Sequence, residues 1–576
     1  MSIKKVIYLE FLILCLSATI DTKLFVYSSL SKLLFEGICT ILLSLSALTY
    51  YIAKRNIAKS INIGKLDVYV ILWIIFLLFH NLVIPSEKYH FLFLITSLIL
   101  HLTLSFILRH HLLSFHHIGN GLLLIAIIHL VFCSLQILGC IKSTSHYFNI
   151  TGCNDNPNIT AIYLVGCIPI IVHRITHSKK NKSYLMLLLI AFYFIIILKC
   201  RTAFIGLFVM YLTMFLFMFQ NRRKLKIIVL IITLIVSPFI AHKCYEIKKN
   251  SADGRLLIWK ITIGMVTEKP FGYGYGLFER NYNLAQANYF EMGNGTLQEK
   301  QNAAVVSMPY NDYLEHTVEG GLLGLFFYSG FLAIISYITY IQQRKYSFAL
   351  ILSFVIMATC NFIYTSFQPW LLLLCFAAKV DEDNYSIKLS LKQSKVCITV
   401  CLVGILWCGA KNLVYAISQH RLYQLQKKPT KILTKTEMSE LTTLEVFIGS
   451  SEAYWQFRGY CNIVQNQYEK ALLCYEIASN YTTTLSLYFH LFQCYYNLGK
   501  TDDAIRVLKR IKCMQPTNLR SRHLLMHYYY EQKDYKTALE FANEIIQVPI
   551  KVESEKTREI KYDAMKLFEL TKKSHI

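Results

Sequence analysis

Thirteen apolar runs divide this chain, at residues 6–20, 30–52, 66–84, 89–108, 118–141, 159–174, 184–199, 202–219, 225–241, 318–341, 347–365, 367–379 and 395–414. The hydrocarbon core of a bilayer offers a backbone no hydrogen-bond partners. A segment that crosses it must satisfy its own peptide groups, as a helix of roughly 20 residues does. The twelfth run is short and contains Pro369, which fits one arm of a helical hairpin. The predicted fold class is therefore all-α: a polytopic membrane helix bundle of about 12–13 spans with a soluble appendage.

Composition agrees. Of 576 residues, 55% are apolar and 16% charged, against roughly a quarter charged in soluble domains. The formal charge of +24 does not indicate a nucleic-acid partner, because many lysines and arginines sit in short loops between apolar runs. The 17 cysteines are scattered, and none has zinc-ligand spacing, so no metal or other cofactor is expected. Cys140 and Cys153 flank one loop and could be a disulfide or two free thiols. The N-terminus has a basic start and an apolar run but no clear cleavage site, and reads as a retained first helix.

Every second loop is basic. Lys4 and Lys5 precede the first run; Lys54, Arg55, Lys59 and Lys65 follow the second, and Arg109, His110 and His111 the fourth. Arg174, Lys179, Lys180 and Lys182 follow the sixth, Arg222, Arg223, Lys224 and Lys226 the eighth, and Arg344 and Lys345 the tenth. The alternate loops, such as PSEKYH and SHYFNITGCNDNPN, are not basic. Positive-inside bias then puts the N-terminus in the cytoplasm and the long polar loop 242–317 outside. For residues 415–576 two cues conflict: thirteen crossings lead outside, whereas Arg421, Lys427, Lys428, Lys431 and Lys435 pull inward. The crossing count is given the greater weight.

That tail repeats. Ala471, Ala504 and Ala538 are 33 and 34 residues apart, in QYEKALLCY, KTDDAIRVL and DYKTALEFA. Trp455, Gly459 and Tyr475 surround the first, and Tyr488, Leu491, Tyr495, Leu508 and Pro516 the second. These are tetratricopeptide-repeat spacings, helix pairs in which small residues permit close packing, commonly used to hold a protein partner. The expected domains are a membrane domain over 1–414, a linker over 415–450 and a repeat domain over 451–576.

Four elements on the predicted outer face could carry chemistry. Asn156, Pro157 and Asn158 open the sixth run; their amides could bind a sugar, or Asn158 could cap a helix. Arg201, in KCRTAFIG, is a charge at a span boundary, either functional or snorkelling to the interface. Arg255, in SADGRLLIWK, begins an amphipathic segment with Trp259 as interface anchor. Two outer arginines suit a pyrophosphate, whose oxygens guanidinium forks engage in pairs. Last come Tyr310, Asn311, Asp312, Glu315, His316 and Glu319. On a helix, Asp312, Glu315, His316 and Glu319 share a face, offering a general base or a merely solvated helix start. Gly272, Gly274 and Gly276 follow no strand and read as a tight turn, not a nucleotide site.

In this order the elements resemble the O-antigen ligase family, over roughly residues 150–375. The resemblance rests on NPN at Asn156–Asn158, RTA at Arg201, GR-x-x-x-W from Gly254, P-x-G-x-G-x-G-x-F from Pro270, and N-x-x-L-x-x-x-x-E-x-G from Asn311. It implies a GT-C-like, metal-independent membrane glycosyltransferase of the bacterial inner membrane. Such an enzyme moves a glycan from undecaprenyl pyrophosphate to a hydroxyl of lipid A-core, another glycan or a protein. Ligase, polymerase and protein O-oligosaccharyltransferase activities all remain open. Arg201 and Arg255 would hold the pyrophosphate, with Asn156, Asn158 and Asn311 on the substrate. Family ligases favour a His directly before the Asn as base, where this chain has Tyr310. Tyrosine, with a pKa near 10, is a poor base at neutral pH. Tyr310 would then orient the acceptor, or His316 or Glu319 would replace the base, or the chain would not be a lipid A-core ligase. From other classes, a lipid-linked glycan transporter and a non-catalytic scaffold remain; the scarcity of mid-span charges disfavours the transporter.

Overall fold

The computed structural model describes residues 3–20, 24–25, 28–53, 62–145, 147–177, 181–218, 222–247, 249–380, 386–428, 433–549 and 553–574. Lys4, Lys5 and most of the loop charges are among them; Lys54, Arg55, Lys59, Lys179, Lys180 and Lys431 lie outside the described residues.

The first helices are α1 (Ile3–Ser17), α2 (Ser28–Ala53), α3 (Lys65–Val83), α4 (Lys88–Arg109), α5 (Phe115–Ile137), α6 (Pro157–His177), α7 (Asn181–Ile197), α8 (Arg201–Met218) and α9 (Arg223–Ile247), with strand β1 (Asn62–Gly64) before α3. Then come α10 (Lys249–Glu268), α11 (Phe278–Glu291), α12 (Leu297–Asn302), α13 (Asp312–Ile341), α14 (Lys345–Met357), α15 (Phe367–Val380), β2 (Ser386–Lys388) and α16 (Leu391–Gln426). The tail holds α17 (Lys435–Ile448), α18 (Glu452–Val464), α19 (Tyr468–Ala478), α20 (Leu485–Asn497), α21 (Thr501–Met514), α22 (Leu519–Glu531), α23 (Tyr535–Gln547) and α24 (Glu555–Ser574). Each predicted apolar run has its helix, and the fold is all-α. Among the described residues eight helices are long and apolar enough to cross a membrane, while α7, α14 and α15 are apolar but shorter. This is a multi-pass membrane protein.

The chain divides into two compact units: Met1–Cys244 with Tyr310–Tyr423, and Tyr245–Pro309 with Gln424–Ile576. The long loop therefore groups with the tail, not with the membrane domain in which it was expected. The expected linker 415–450 is largely helical, because α16 runs on to Gln426 and α17 follows.

In the first unit small residues set the helix spacing. Gly206 of α8 lies against Met357 of α14, and Ser353 Oγ donates to the Gly206 carbonyl at 2.9 Å. Gly166 of α6 admits Phe354 and Leu372 in the same way. Without a hydrophobic driving force between spans, such close approach supplies the packing. One end of the unit is basic. There β1 pairs antiparallel with β2, Arg109 bonds Asp67 at 2.7 Å and the Asn62 carbonyl at 3.1 Å, and Arg344 reaches the Lys379 carbonyl at 3.0 Å.

In the second unit α18–α19, α20–α21 and α22–α23 are packed helix pairs, and Ala471, Ala504 and Ala538 are buried within them. Gly459 faces the Tyr475 ring, where a side chain would collide. The loop helix α11 packs on α21. Gln286 Nε2 donates to the Met514 carbonyl at 2.6 Å, Asn283 Nδ2 to Thr483 Oγ1 at 3.0 Å, and Arg280 Nε to the Ser479 carbonyl at 3.0 Å. Arg510 answers from α21 with bonds to Asn288 at 2.6 Å and Glu291 at 2.9 Å. Loop and tail thus form one body with a polar seam.

Candidate active site

The first unit gathers most of the predicted residues at the end opposite its basic one, and the first turn of α13 organises them. Asn311 is the N-cap, its Oδ1 accepting the Leu314 N–H at 3.1 Å. Asp312 is fully buried. Its backbone N–H donates to the Ala358 carbonyl at 3.0 Å, and its carboxylate accepts from Ile363 N–H at 3.1 and 3.0 Å, Tyr364 N–H at 3.3 Å and the Tyr328 hydroxyl at 2.8 Å. These bonds fix the 358–366 connection between α14 and α15. They explain why α14 stops at Met357 where the apolar run ran on to 365: the chain turns there to offer its peptide N–H groups to a carboxylate.

The helix breaks again at Gly321, whose φ of 68° and ψ of −166° suit glycine alone among ordinary residues. The expected shared face of Asp312, Glu315, His316 and Glu319 exists but is turned inward, so the solvated helix start is excluded: all four are buried. His316 is 0% exposed, stacked on Tyr328 (centroids 4.3 Å, 22°) and tilted against Tyr364 (4.2 Å, 37°), with Trp73 edge-on at 5.9 Å. This aromatic box closes off the ring that the sequence offered as a base. Glu319 is also buried, and its Oε2 accepts the Tyr364 hydroxyl at 3.4 Å.

Other predicted residues remain part-exposed. Tyr310 holds a left-handed backbone (φ 54°), costly for a residue with a side chain, beside Phe362 at 6.0 Å. Arg201 is the first residue of α8. That helix runs antiparallel to α14, with Gly206 beside Ser353 and Phe217 beside Phe348. Continuing the register places Arg201 level with the 358–366 connection. Asn156 accepts the Asn158 N–H at 3.0 Å, and Pro157 is the first helical residue, so Asn156 and not Asn158 caps α6. The loop before it is tied to the start of α15: Asn154 Nδ2 donates to Gln368 Oε1 at 2.8 Å, and His129 Nε2 lies 3.1 Å from the same atom.

Two polar groups escaped the sequence reading. Asn361 is fully buried, and its Nδ2 has no hydrogen-bond partner among the described residues; the same holds for Thr365 Oγ1. Buried donors are seldom left so, and a substrate oxygen is one natural partner. The signal was available as a polar break, TCNFIYTS, inside an otherwise apolar run.

Arg255 belongs to the second unit. It sits in the second turn of α10, which starts at Lys249, and so does not open its helix. Trp259 Nε1 donates to the Pro309 carbonyl at 2.9 Å, which ties α10 to the end of the loop. Lys260 bonds the Tyr289 hydroxyl at 2.7 Å and Glu299 at 2.9 Å, and these two partners, in that order, hold its ammonium up at about 12. Gly272, Gly274 and Gly276 have φ of 89°, 101° and 79° in an irregular turn with no strand before it. Cys140 is exposed, Cys153 is buried, and both are free thiols.

The fold and these residues define a multi-pass membrane protein whose polar end is stapled by α13. The O-antigen ligase family model matches residues 186–329, from α7 into α13, so this chain carries an O-antigen ligase domain. The match takes in Arg201, Arg255, Tyr310, Asn311, His316 and Glu319, while Asn156 and Asn158 lie before it. No curated protein and no solved structure matches the chain.

Proposed function

We propose that the protein transfers a glycan from undecaprenyl pyrophosphate to an acceptor hydroxyl on the outer face of the bacterial inner membrane. The observation that carries this reading is the arrangement at the Asp312 end. Arg201, Tyr310, Asn311 and Asn156 stand part-exposed there, above a connection that Asp312 fixes, within or next to an O-antigen ligase domain. The basic residues Arg109, Arg344 and Lys379 lie at the opposite end, which supports placing the Asp312 end outside.

In the transfer, the acceptor oxygen bonds to the anomeric carbon as the bond to the pyrophosphate oxygen breaks. Charge grows on the leaving group, and fixed guanidinium groups favour that change because they need no reorganisation. Arg201 is assigned this role, and Arg255 is a separate candidate for it on the loop. Tyr310 and Asn311 orient the acceptor. With His316 boxed in, the acceptor proton is assigned to Glu319 by way of the Tyr364 hydroxyl: the tyrosine oxygen takes it and passes its own to the carboxylate.

Because the loop and tail helices form one body, both belong on the same side of the membrane. The four helices α13–α16 between them are consistent with an even number of crossings. We take the helix pairs of the tail to be tetratricopeptide-like and extracytoplasmic. The test is transfer by the purified chain with a lipid-linked donor. Arg201→Ala and Arg255→Ala should each lower transfer about 10²–10³-fold while folding persists, and full activity in both would remove the assignment. In a deletion strain, accumulated free lipid-linked polymer marks a ligase, single repeat units a polymerase, and unglycosylated secreted proteins a protein transferase.

A further inference from the structure

The tail carries one cluster of chemistry-bearing side chains that glycan transfer does not use. His523 and His527 lie one turn apart on α22, and Asp563 comes from α24, the last helix. The two Nε2 atoms are 3.0 Å apart, Asp563 Oδ2 is 3.2 Å from His523 Nε2, and all three donor atoms fall within 4.8 Å of one another. The rings stand edge to face at 89° with centroids 4.4 Å apart.

That spacing is close to a metal's requirement. Tetrahedral zinc with bonds of about 2.0–2.1 Å holds neighbouring ligand atoms about 3.3 Å apart. The two His523 pairs reach this by opening a few tenths of an ångström, and His527 and Asp563 lie within 4.8 Å of each other. Two imidazoles and a carboxylate are a borderline donor set, suited to zinc and its neighbours and not to calcium or magnesium. His527 is exposed, and the Asp563 side chain is 47% exposed, so an ion has a path in.

We propose that His523, His527 and Asp563 form a site for a divalent transition-metal ion, zinc foremost, with water completing its shell. The ion would tie α24 back to α22. The end helix of a stack has neighbours on one side only, so a tie there fastens the element with least packing to hold it. No short sequence spacing reveals the site, because Asp563 lies 40 residues from His523.

The experiment uses the full-length protein in detergent, stripped by a chelator and dialysed against Zn²⁺. Wild type should bind one equivalent more than His527→Ala or Asp563→Asn, and zinc should raise the melting temperature of wild type alone. Because both positions are substantially exposed, these variants should fold. His173 and His177 also pair one turn apart, on α6, and His173→Ala should keep the equivalent. Equal zinc in wild type and the two tail variants overturns the site and leaves a metal-free hydrogen-bond chain. Loss of the equivalent in His173→Ala alone also overturns it.

Discussion

Both oxygens of the Asp312 carboxylate accept the backbone N–H of Ile363, at 3.1 and 3.0 Å. One side chain at the start of α13 thereby orders a connection 51 residues away. Asp312→Ala should strip buried N–H groups of their acceptor and cost about 3–5 kcal/mol, as loss of a buried charged partner does. Thermal unfolding in detergent measures this. Asp312→Asn keeps the shape and an acceptor oxygen, and should lose clearly less; equal losses would contradict the staple.

His316 separates packing from catalysis. His316→Phe keeps an aromatic ring in the box and should retain transfer within about threefold, whereas His316→Ala leaves a hole worth about 3–5 kcal/mol. A well-folded Phe variant with no transfer would restore His316 as the base.

Arg201 is proposed to act through a planar fork. Arg201→Ala should lower kcat about 10²–10³-fold, the cost of losing one fixed donor at a developing charge. Arg201→Lys retains charge without the fork and should recover only part of it. Matching rates for the Lys variant and wild type would show that charge alone suffices.

Gln286 uses its whole amide: Nε2 donates to Met514 and Ala304 carbonyls at 2.6 and 3.0 Å, and Oε1 accepts the Tyr282 hydroxyl at 2.9 Å. Gln286→Leu leaves those groups buried and unsatisfied, at about 1–3 kcal/mol each. Limited proteolysis should then cut within 245–309 faster than in wild type. Unchanged cleavage would argue that α11 holds to the tail by shape alone.

The Lys260–Glu299 pair gives the loop a pH window. Lys260 titrates above its unfolded value, so its contribution is complete below about 10.4 and is lost as pH rises through about 12. Burial alone would raise Glu299, but bonds from Lys260, the Thr296 N–H and Tyr289 outweigh it and lower the carboxyl. Its contribution is present above the ordinary Glu range and is lost as pH falls through the lowered value. Protection of the α12 amides, relative to their intrinsic exchange rates, should therefore be greatest between these limits, and Lys260→Met should flatten the profile.

Helix placement was legible because bilayer thickness and backbone saturation leave few alternatives to an apolar run. The part-exposed residues Arg201, Tyr310 and Asn311 were legible for a related reason: polar groups at span ends are sparse and stand out. The bonds made by Asp312 and Gln286 were not. Their partners lie 51 and 228 residues away, and no local pattern announces a bond across that distance. His316 misled because helical periodicity gives a shared face but not its direction, and Tyr328 and Tyr364 turned that face inward.

The seam between α11 and the repeats also carries a consequence in time. The carbonyl that Gln286 requires belongs to Met514, so it does not exist until 228 further residues have been made. At 5–20 residues per second that is a wait on the order of ten to forty-five seconds. The loop, with Arg255 on it, spends that interval without its partner while α13–α16 are made. A chain whose synthesis stops early is left with an unfinished loop, so completion of the tail serves as the licence for the loop to fold.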